Sequence, residues 1–298
     1  MLRLEDLAAL AKQHRAALAA PVREFAIGPR SFNSQPALMG VINLSADSWY
    51  RESVCLTTEM AVQRGRVLAA QGAALVDIGA ESSLAHAARA DAAAQSGKLL
   101  PVIRALRAEQ ILVSVETYQP AVTRACLEAG ANVLNLTGTA GNKDLYRMVA
   151  DHEAAVIICY LQGPNVREVG DFQLHEDPIP MMYDYFAREL EQATRSGVTR
   201  LFIDPGLGFY YRNLQDSAVR VRHQLTTFLN TFRLRTLGWP ICHALPHAFE
   251  YFGEEVRAAE PFFAVMAALG KTDLFRTHEV SRTKAVLATL GVYGASPR

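Results

Sequence analysis

The sequence at positions 204–209 puts a carboxylate where an apolar run opens into a glycine-rich loop. Residues 201–203 are Leu-Phe-Ile, and Asp204 is followed by Pro-Gly-Leu-Gly-Phe. In parallel α/β proteins, ligands bind at the carboxyl ends of the strands, where such loops begin. Asp204 is therefore the first residue that we expect to bind a polar ligand.

Five other apolar runs also end in residues that can bind a polar ligand. They end at Asn43, 76–79, Glu116, Asn135 and 275–278. One junction of this kind means little. Six at roughly regular intervals indicate strands whose carboxyl ends share one mouth.

The elements between these junctions follow a repeating pattern. Short runs rich in Val, Ile and Leu alternate with longer segments of helical period, as in repeated strand and helix units. The predicted strands are 37–44, 74–80, 111–117, 132–137, 155–161, 200–207, 240–245 and 273–279. The predicted helices are 58–71, 94–108, 119–129, 143–151, 179–197, 213–236, 261–270 and 280–290. This order predicts the α/β class and a (β/α)8 TIM barrel. A doubly wound open sheet is the rival, but it normally has fewer units, and no G-x-G-x-x-G opening follows the first strand here.

Length and composition are consistent with one large core. The chain has 298 residues, of which 50% are hydrophobic and 20% charged, and barrels of this length commonly form a single domain. Residues 1–36 are predicted to be a short N-terminal extension that packs against a barrel of residues 37–298.

The charge balance argues against nucleic acid or a membrane as a partner. The chain has 30 basic and 30 acidic residues and a formal net charge of +0, so it has no global field that would collect polyanions. It contains no apolar run of about 18 residues. The four cysteines lack C-x-x-C spacing and are predicted to be buried free thiols, which favours the cytoplasm: Cys55, Cys126, Cys159 and Cys242.

Taken in chain order, the junctions resemble the motifs of dihydropteroate synthase and the wider pterin-binding barrel family over roughly residues 37–290. The first-strand motif is Met-Gly-Val-Ile-Asn-Leu-Ser-Ala-Asp-Ser at 39–48, and the second is Asp-Ile-Gly-Ala-Glu-Ser-Ser at 77–83. Ser-Val-Glu-Thr at 114–117, Asn135, the loop at 204–209 and Arg-Thr-His-Glu at 276–279 follow in the family's order. Each element alone is weak, but their combination is specific.

The resemblance implies a transferase of folate biosynthesis. The family replaces the diphosphate of 6-hydroxymethyl-dihydropterin diphosphate by the amine of p-aminobenzoate, which gives dihydropteroate. Positive charge develops on the pterin methylene as diphosphate departs, so the protein must stabilise the anion and exclude water. Mg²⁺ is the implied cofactor, and a homodimer is compatible with the resemblance.

On the pterin side, the resemblance implies four binding residues. A pterin carries a 2-amino group beside a ring N–H, and a carboxylate can accept both hydrogen bonds. Asp204 is the candidate for this contact, and Glu116 and Asn135 would complete the polar edge. Phe209 is expected to lie against the flat heterocycle, although an aromatic residue after a glycine turn is as often ordinary packing.

On the diphosphate side, the resemblance implies three catalytic residues. Arg276 and His278 are expected to form an anion site next to Asn43, because the last and first strands adjoin in a closed barrel. Asn43 is also the implied metal ligand, since the family's asparagine at this place helps to hold Mg²⁺ and the diphosphate.

The chain departs from the family pattern at several positions of the site. An arginine of the second loop is replaced by Leu84, and the third-strand aspartate by Glu116. The aspartate after the fourth-strand asparagine is Leu136, and the lysine after strand seven falls near Ala248, with His247 as a partial replacement. We therefore predict a degenerate active site with weak or absent turnover and retained pterin affinity.

Two alternative functions follow from these departures. One is a non-catalytic pterin- or folate-binding paralogue, which the missing lysine favours. The other is a methyl-transfer module that binds a reduced methyl-folate, although such modules usually work with a corrinoid-binding partner. The retained Asn43 and Arg276 favour the synthase.

Other polar residues are given structural interpretations. Asp77 and Glu81 are expected to hold the second loop or orient other side chains, and His243 is expected to be an interior histidine. Four arginines of the helix predicted at 213–236 are expected on an exposed helix face: Arg220, Arg222, Arg233 and Arg235.

Overall fold

The computed structural model describes residues 1–32, 35–48, 50–82, 87, 89–209, 211, 213–214 and 216–294. The N-terminal segment forms helices α1 (Leu4–Gln13) and α2 (Arg15–Leu18), followed by an antiparallel hairpin of β1 (Phe25–Ile27) and β2 (Arg30–Phe32). Phe25 and Phe32 of the hairpin pack edge-on against Phe202, with ring centroids 5.0 and 5.5 Å apart. The extension therefore packs against the barrel interior.

Eight parallel strands follow in one sheet. They are β3 (Ala37–Asn43), β4 (Leu75–Gly79), β5 (Val113–Thr117), β6 (Val133–Leu136), β7 (Ala155–Cys159), β8 (Leu201–Asp204), β9 (Cys242–Ala244) and β10 (Leu274–Thr277). The order in space is β8-β7-β6-β5-β4-β3-β10-β9. A parallel bridge between Ile203 and Ile241 joins the two edge strands, so the sheet closes into the predicted TIM barrel.

A helix follows each strand of the barrel. The helices are α3 (Thr58–Gln71), α4 (Ala92–Ala108), α5 (Pro120–Glu128), α6 (Asn142–Asp151), α7 (Ile179–Arg195), α8 (Ser217–Asn230), α9 (Phe249–Phe252), α10 (Ala259–Leu269) and α11 (Val280–Gly294). Short 3-10 helices occupy Arg51–Ser53, Thr231–Leu237 and Gly253–Ala258. None of the helices in the described chain combines the length and hydrophobicity that a membrane span requires.

Two apolar clusters form the core. The larger one lies between the strands and the outer helices, and it includes Leu68, Leu106 and Phe263. The smaller one fills the barrel interior near the amino ends of the strands, where Ile27 and Phe32 of the N-terminal segment join it. The four cysteines are buried free thiols, as predicted. Apolar side chains thus fill the amino end of the interior, and the cavity that the described residues form lies at the carboxyl end.

The prediction for the arginines of 213–236 is wrong for three of the four. The helix changes to 3-10 geometry at Thr231, and only Arg222 is exposed. Arg220, Arg233 and Arg235 keep at most 16% of their side chains exposed, and they pair with Glu250, Asp177 and Asp273. Their carboxylate partners are 30 to 56 residues away in sequence, so the helical pattern alone could not identify them.

Gly206 permits the turn that follows β8. Its φ is +77°, and a Cβ atom built there would lie 2.1 Å from the carbonyl oxygen of Tyr160. The Gly206 N–H donates to Asp204 Oδ1 at 2.8 Å. The glycine therefore lets the backbone fold back close enough to hold the Asp204 carboxylate.

Gly206→Ala should lower the free energy of unfolding by at least about 2 kcal/mol, because it adds left-handed strain and a backbone clash. The matched control is Gly97→Ala in α4, where a Cβ atom meets nothing within 4 Å. That change should stabilise the protein by up to about 1 kcal/mol. Urea unfolding of both variants measures the difference, and equal effects would contradict the assigned role of Gly206.

Candidate active site at the carboxyl end of the barrel

One cavity at the carboxyl ends of the strands brings together every residue that the sequence analysis assigned to a site. The cavity wall includes all seven: Asn43, Glu116, Asn135, Asp204, Phe209, Arg276 and His278. Ser45, Tyr50, Glu81, Arg220, His247 and Glu250 also line it.

Strand register explains why three of these residues lie at one level. Asn43 pairs with Gly79, Gly79 with Glu116, and Glu116 with Asn135. Side chains at paired positions of neighbouring parallel strands point to the same side of the sheet. Gly79 lacks a side chain, and a Cβ atom built there would lie 3.7 Å from the Glu116 side chain.

Asp77 lies beneath this level and accepts hydrogen bonds from three residues on other strands. It is completely buried, and its oxygens accept hydrogen bonds from Ser114 Oγ at 2.6 Å and Asn135 Nδ2 at 3.1 Å. Arg276 Nε donates to the same carboxylate at 2.7 Å, and Arg276 reaches Glu116 Oε2 at 2.5 Å. Asp77 thus orients other site residues, in agreement with the structural interpretation given to it.

Arg276 is therefore an internal counter-ion. Burial would lower its pKa, but the charges of Asp77 and Glu116 outweigh that effect and raise the pKa. Arg276 was expected to form an anion site with His278; its guanidinium is paired with two carboxylates, which compensate its charge, and the anion site itself stays a prediction. β10 and β3 adjoin as expected, with Arg276 paired to Met39 in register.

Asp204 and Glu116 carry raised pKa values. Burial raises the pKa of Asp204 to about 6, although the Gly206 N–H and the charge of Arg276 act against it. Burial also raises the pKa of Glu116, against the lowering effect of Arg276. Hydrogen bonds donated by a ligand would therefore stabilise the ionised form of each carboxylate, because they replace the hydration that burial removed.

Asn135 is held on both sides of its amide. Nδ2 donates to Asp77, and Oδ1 accepts from the Cys159 thiol at 3.4 Å. Cys159 is in turn paired in register with Asp204. These bonds fix the orientation of the Asn135 amide beside the Asp204 carboxylate.

Asn43 offers an oxygen to the cavity. Its Nδ2 donates to Ser53 Oγ at 2.6 Å, and Ser53 Oγ donates to the Tyr50 carbonyl at 2.7 Å. With its amide nitrogen engaged in this way, Oδ1 is the atom available for a cation. An amide oxygen fits the preference of Mg²⁺ for hard oxygen ligands.

His278 is paired with Glu260. Its Nδ1 lies 2.6 Å from Glu260 Oε1, while the opposite carboxylate oxygen, Oε2, accepts from the His278 N–H at 2.8 Å and the Glu279 N–H at 3.2 Å. Thr277 Oγ1 also donates to Oε2. Burial would raise the pKa of Glu260, but the charge and hydrogen bond of His278 outweigh it and lower the pKa to about 2.

His247 lines the cavity next to this pair. Its Nδ1 lies 3.7 Å from Glu260 Oε1, and its ring stacks on Tyr50 with centroids 5.0 Å apart. Burial lowers the pKa of His247 to about 4, so its imidazole is neutral near pH 7. The adjacent Ala248 is buried and is not among the described residues that line the cavity.

Four residues of this region were missed by the sequence analysis. Tyr50 donates its hydroxyl to Glu279, and Arg257 Nε donates to the same Glu279 oxygen at 2.5 Å. Glu260 is the fourth residue, after Tyr50, Glu279 and Arg257. In the sequence, Glu260 is the lone carboxylate of the otherwise apolar segment 259–269, and Glu279 belongs to the motif at 276–279.

The second loop is held by buried polar groups. Glu81 accepts from the Ala90 N–H at 3.0 Å and from the Tyr118 hydroxyl at 3.1 Å. Arg167 donates to the carbonyls of Ser82 at 2.8 Å and Ala87 at 2.6 Å. Glu81 therefore has the loop-holding role expected of it. Leu84, which the resemblance places where the family has an arginine, lies outside the described residues.

The described cavity wall carries more carboxylates than guanidinium groups. Four carboxylates line it: Glu81, Glu116, Asp204 and Glu250. Two guanidinium groups line it, those of Arg220 and Arg276, and each is bound to carboxylates. Within the described wall, neither guanidinium group is therefore without a carboxylate partner.

Known proteins give consistent matches. A family model described as "Pterin binding enzyme" matches residues 39–245. The chain is 26% identical over 276 residues to a dihydropteroate synthase of Streptococcus pyogenes, covering 89% of this chain and 98% of that protein. The dihydropteroate synthase of Xanthomonas albilineans with 4-aminobenzoic acid has a TM-score of 0.76 at 27% identity, covering 92% of this chain and 99% of that one. Its complex with 7,8-dihydropteroate gives 0.74 at 26% identity, covering 92% and 100%.

Asp204→Asn should raise stability at alkaline pH. Because the pKa of Asp204 rises from 3.8 to about 6 on folding, its contribution to stability is complete below about pH 4 and is lost as the pH rises to about 6. Asparagine cannot ionise, so the variant should gain up to about 3 kcal/mol at pH 8 and progressively less towards pH 4. Urea unfolding at both pH values measures this, with Asp151→Asn on the surface as control. A gain independent of pH would contradict the assignment.

Arg276→Ala should destabilise the protein by about 3–5 kcal/mol, because it leaves Asp77 buried without its counter-charge. The matched control is Arg66→Ala, which breaks a bidentate but exposed pair with Glu109. That loss should cost at most about 1 kcal/mol. Urea unfolding compares the two, and similar small losses would show that Asp77 does not need the arginine.

Proposed function

This chain belongs to the pterin binding enzyme family, and we propose that it is a dihydropteroate synthase-type transferase whose active site has lost part of its positive charge. The comparisons support a dihydropteroate synthase-type function. The observation that carries the proposal is the single cavity wall shared by Glu116, Asn135 and Asp204.

The pterin ring is recognised by its hydrogen-bonding edge. The Asp204 carboxylate accepts from the 2-amino group and the adjacent ring N–H, and its burial strengthens these charge-assisted bonds. The Asn135 amide is oriented by Asp77 and Cys159, so it meets the ring without rearrangement. Phe209 lies on the same wall, where its ring can pack against the heterocycle.

The second substrate is p-aminobenzoate, and its amine attacks the pterin methylene. The methylene–oxygen bond breaks, the carbon–nitrogen bond forms, and the amine gives up a proton. The protein supplies no covalent nucleophile. Its side chains hold the ring, keep water away from the developing cation and receive the leaving diphosphate.

The diphosphate end is formed around Asn43 and His278. Asn43 Oδ1 is the ligand for Mg²⁺, which supplies positive charge to the leaving diphosphate when bound. His278 stands beside this place with its orientation fixed by Glu260. Arg276 contributes indirectly, because it holds Glu116 and Asp77 in position and is not free to bind the anion alone.

The non-catalytic alternative is favoured by one observation. The described cavity wall carries four carboxylates against two guanidinium groups, and the family's lysine position is taken by the buried Ala248. Loss of a charge-assisted hydrogen bond costs roughly 1.5–3 kcal/mol, so two missing cationic contacts would slow diphosphate departure by orders of magnitude. A pterin-binding paralogue would keep Asp204 and Asn135 and need no such contacts.

We further propose that the protein is cytoplasmic and acts as a homodimer. The four buried free thiols favour a reducing compartment. The exposed apolar side chains of α10 and α11, Phe262, Leu269 and Leu290, support a dimer surface. Sedimentation equilibrium measures the oligomeric state.

The function is tested by binding and turnover in parallel. Dihydropterin and its diphosphate are titrated by calorimetry with and without Mg²⁺, and dihydropteroate formation is followed with p-aminobenzoate. Mg²⁺ should raise the affinity of the protein for the dihydropterin diphosphate and leave its affinity for bare dihydropterin unchanged, because only the diphosphate brings negative charge to Asn43. Growth of a folate-requiring strain that lacks its synthase tests the activity in cells.

Asp204→Asn should lower the affinity for dihydropterin and for its diphosphate by about 100-fold or more, since it removes two charge-assisted hydrogen bonds. The affinity of the wild type should fall about tenfold for each pH unit below about 6, where Asp204 becomes protonated. Asp151→Asn is the surface control. Unchanged pterin affinity in Asp204→Asn would refute the proposed binding mode, and a wild-type turnover of about 1 per second or more would exclude the non-catalytic alternative.

A further inference from the structure

We propose that His247, Glu260 and His278 form a binding site for a divalent transition metal ion of the zinc class, separate from the Mg²⁺ ligand Asn43. One ligand atom from each of the three residues lies within 4.8 Å of the other two. The three come from the loop after β9, from α10 and from the loop after β10, so the closed barrel brings them together.

The distances lie on either side of those of a metal-bound set, so small side-chain shifts that open the His278–Glu260 pair would accommodate an ion. Zn²⁺ binds imidazole nitrogen and carboxylate oxygen at about 2.0–2.2 Å, which puts tetrahedral ligand atoms roughly 3.3 Å apart. His247 Nδ1 and Glu260 Oε1 are 3.7 Å apart, and His278 Nδ1 and the same oxygen are 2.6 Å apart. The metal takes the place of the proton between His278 and Glu260, and that proton is released to solvent.

The carboxylate is held in the orientation that a metal requires. Glu260 Oε2 accepts from Thr277 Oγ1 and from the backbone N–H groups of His278 and Glu279. This leaves Oε1 facing the two imidazoles. Outer hydrogen bonds of this kind orient the ligands of natural metal sites and raise their affinity.

His247 supplies an independent reason to expect a ligand. Its Nδ1 is buried and has no hydrogen-bond partner within the described part of the chain. Buried polar atoms are nearly always paired, and one without a partner calls for an ion or water. The ring is kept in place by stacking on Tyr50, so packing holds the nitrogen 3.7 Å from Glu260 Oε1.

The ligand types select the metal. Two imidazoles and one carboxylate match the three-ligand sets of catalytic zinc sites and of non-haem iron sites, which leave further positions open. Mg²⁺ prefers carboxylates, carbonyls and water. His247 and His278 line the cavity and Glu260 lies behind them, so the open positions face the cavity.

A metal ion here changes the charge of the cavity wall. It adds two positive charges where the described wall has more carboxylates than guanidinium groups. This consequence rests on the proposed function: the ion would stand in for the cationic contacts that the family supplies with side chains at the diphosphate. Metal binding itself requires neither pterin nor turnover, so its test stands apart.

The test uses tag-free, chelator-treated protein with no substrate present. Zn²⁺ is titrated in competition with a chromophoric chelator, and Co²⁺ is used as a spectroscopic probe of coordination. We expect one Zn²⁺ per chain, tetrahedral-type Co²⁺ absorption, and no displacement by excess Mg²⁺. His247→Phe, which keeps the ring on Tyr50, should weaken Zn²⁺ binding at least 100-fold, because losing an outer partner already costs 10–100-fold.

Two further variants test the outer hydrogen bonds of the site and control for histidines elsewhere on the protein. Thr277→Val removes the outer hydrogen bond to Glu260 Oε2, together with the contacts of Thr277 Oγ1 with Thr283 Oγ1 and the Glu279 N–H, and should weaken binding about 10–100-fold. The exposed His152→Gln should leave the affinity unchanged. The proposal is overturned if wild-type protein binds no Zn²⁺ in competition with the chelator, or if His247→Phe binds it as tightly as wild type. Pterin affinity of the metal-free protein, measured on the same preparation, separates a failure of this site from a failure of the proposed function.

Discussion

The active-site wall depends on one buried carboxylate. Asp77 is completely buried in β4, and it is stabilised by donors from three other strands: Ser114, Asn135 and Arg276. A buried charge is tolerated only when such partners compensate the lost hydration. Because each partner is fixed by this requirement, Asp77 sets the orientation of Asn135 directly and that of Glu116 through Arg276. The hydrogen-bonding edge of the cavity is thus a consequence of satisfying one internal charge.

The same compensation decides what the cavity can bind. Arg276 is committed to two carboxylates, and Arg220 is held by Glu250, so neither guanidinium is an uncompensated positive charge. The described wall is consequently well supplied with hydrogen-bond acceptors, and its two guanidinium groups are paired with carboxylates. Under the function proposed above, the acceptors would bind the ring and a bound cation would supply positive charge to the diphosphate. Affinity for the ring and capacity to release diphosphate would then be separable properties of this cavity.

A second buried carboxylate organises the opposite side of the mouth. Glu260 collects hydrogen bonds from Thr277, His278 and Glu279, and it faces His247 as well. Tyr50 stacks on both histidines, with centroids 4.5 Å from His278 and 5.0 Å from His247, and binds Glu279 through its hydroxyl. The loop that carries Tyr50 also carries Ser53, which orients Asn43. The two sides of the mouth are therefore organised by different buried carboxylates, Asp77 on β4 and Glu260 on α10.

The sequence alone determined the barrel and the strand ends that meet at its mouth. Periodicity of apolar residues is a local property, so the eight strands and the residues that follow them could be assigned, and all seven site residues lie on one cavity wall. The tertiary structure decided which polar and charged groups are paired with each other. Arg276 is separated from Asp77 by 199 residues and Tyr50 from Glu279 by 229, and no local pattern reports such pairs. Pairing and burial set the charge state of each group, and both exist only when the barrel closes.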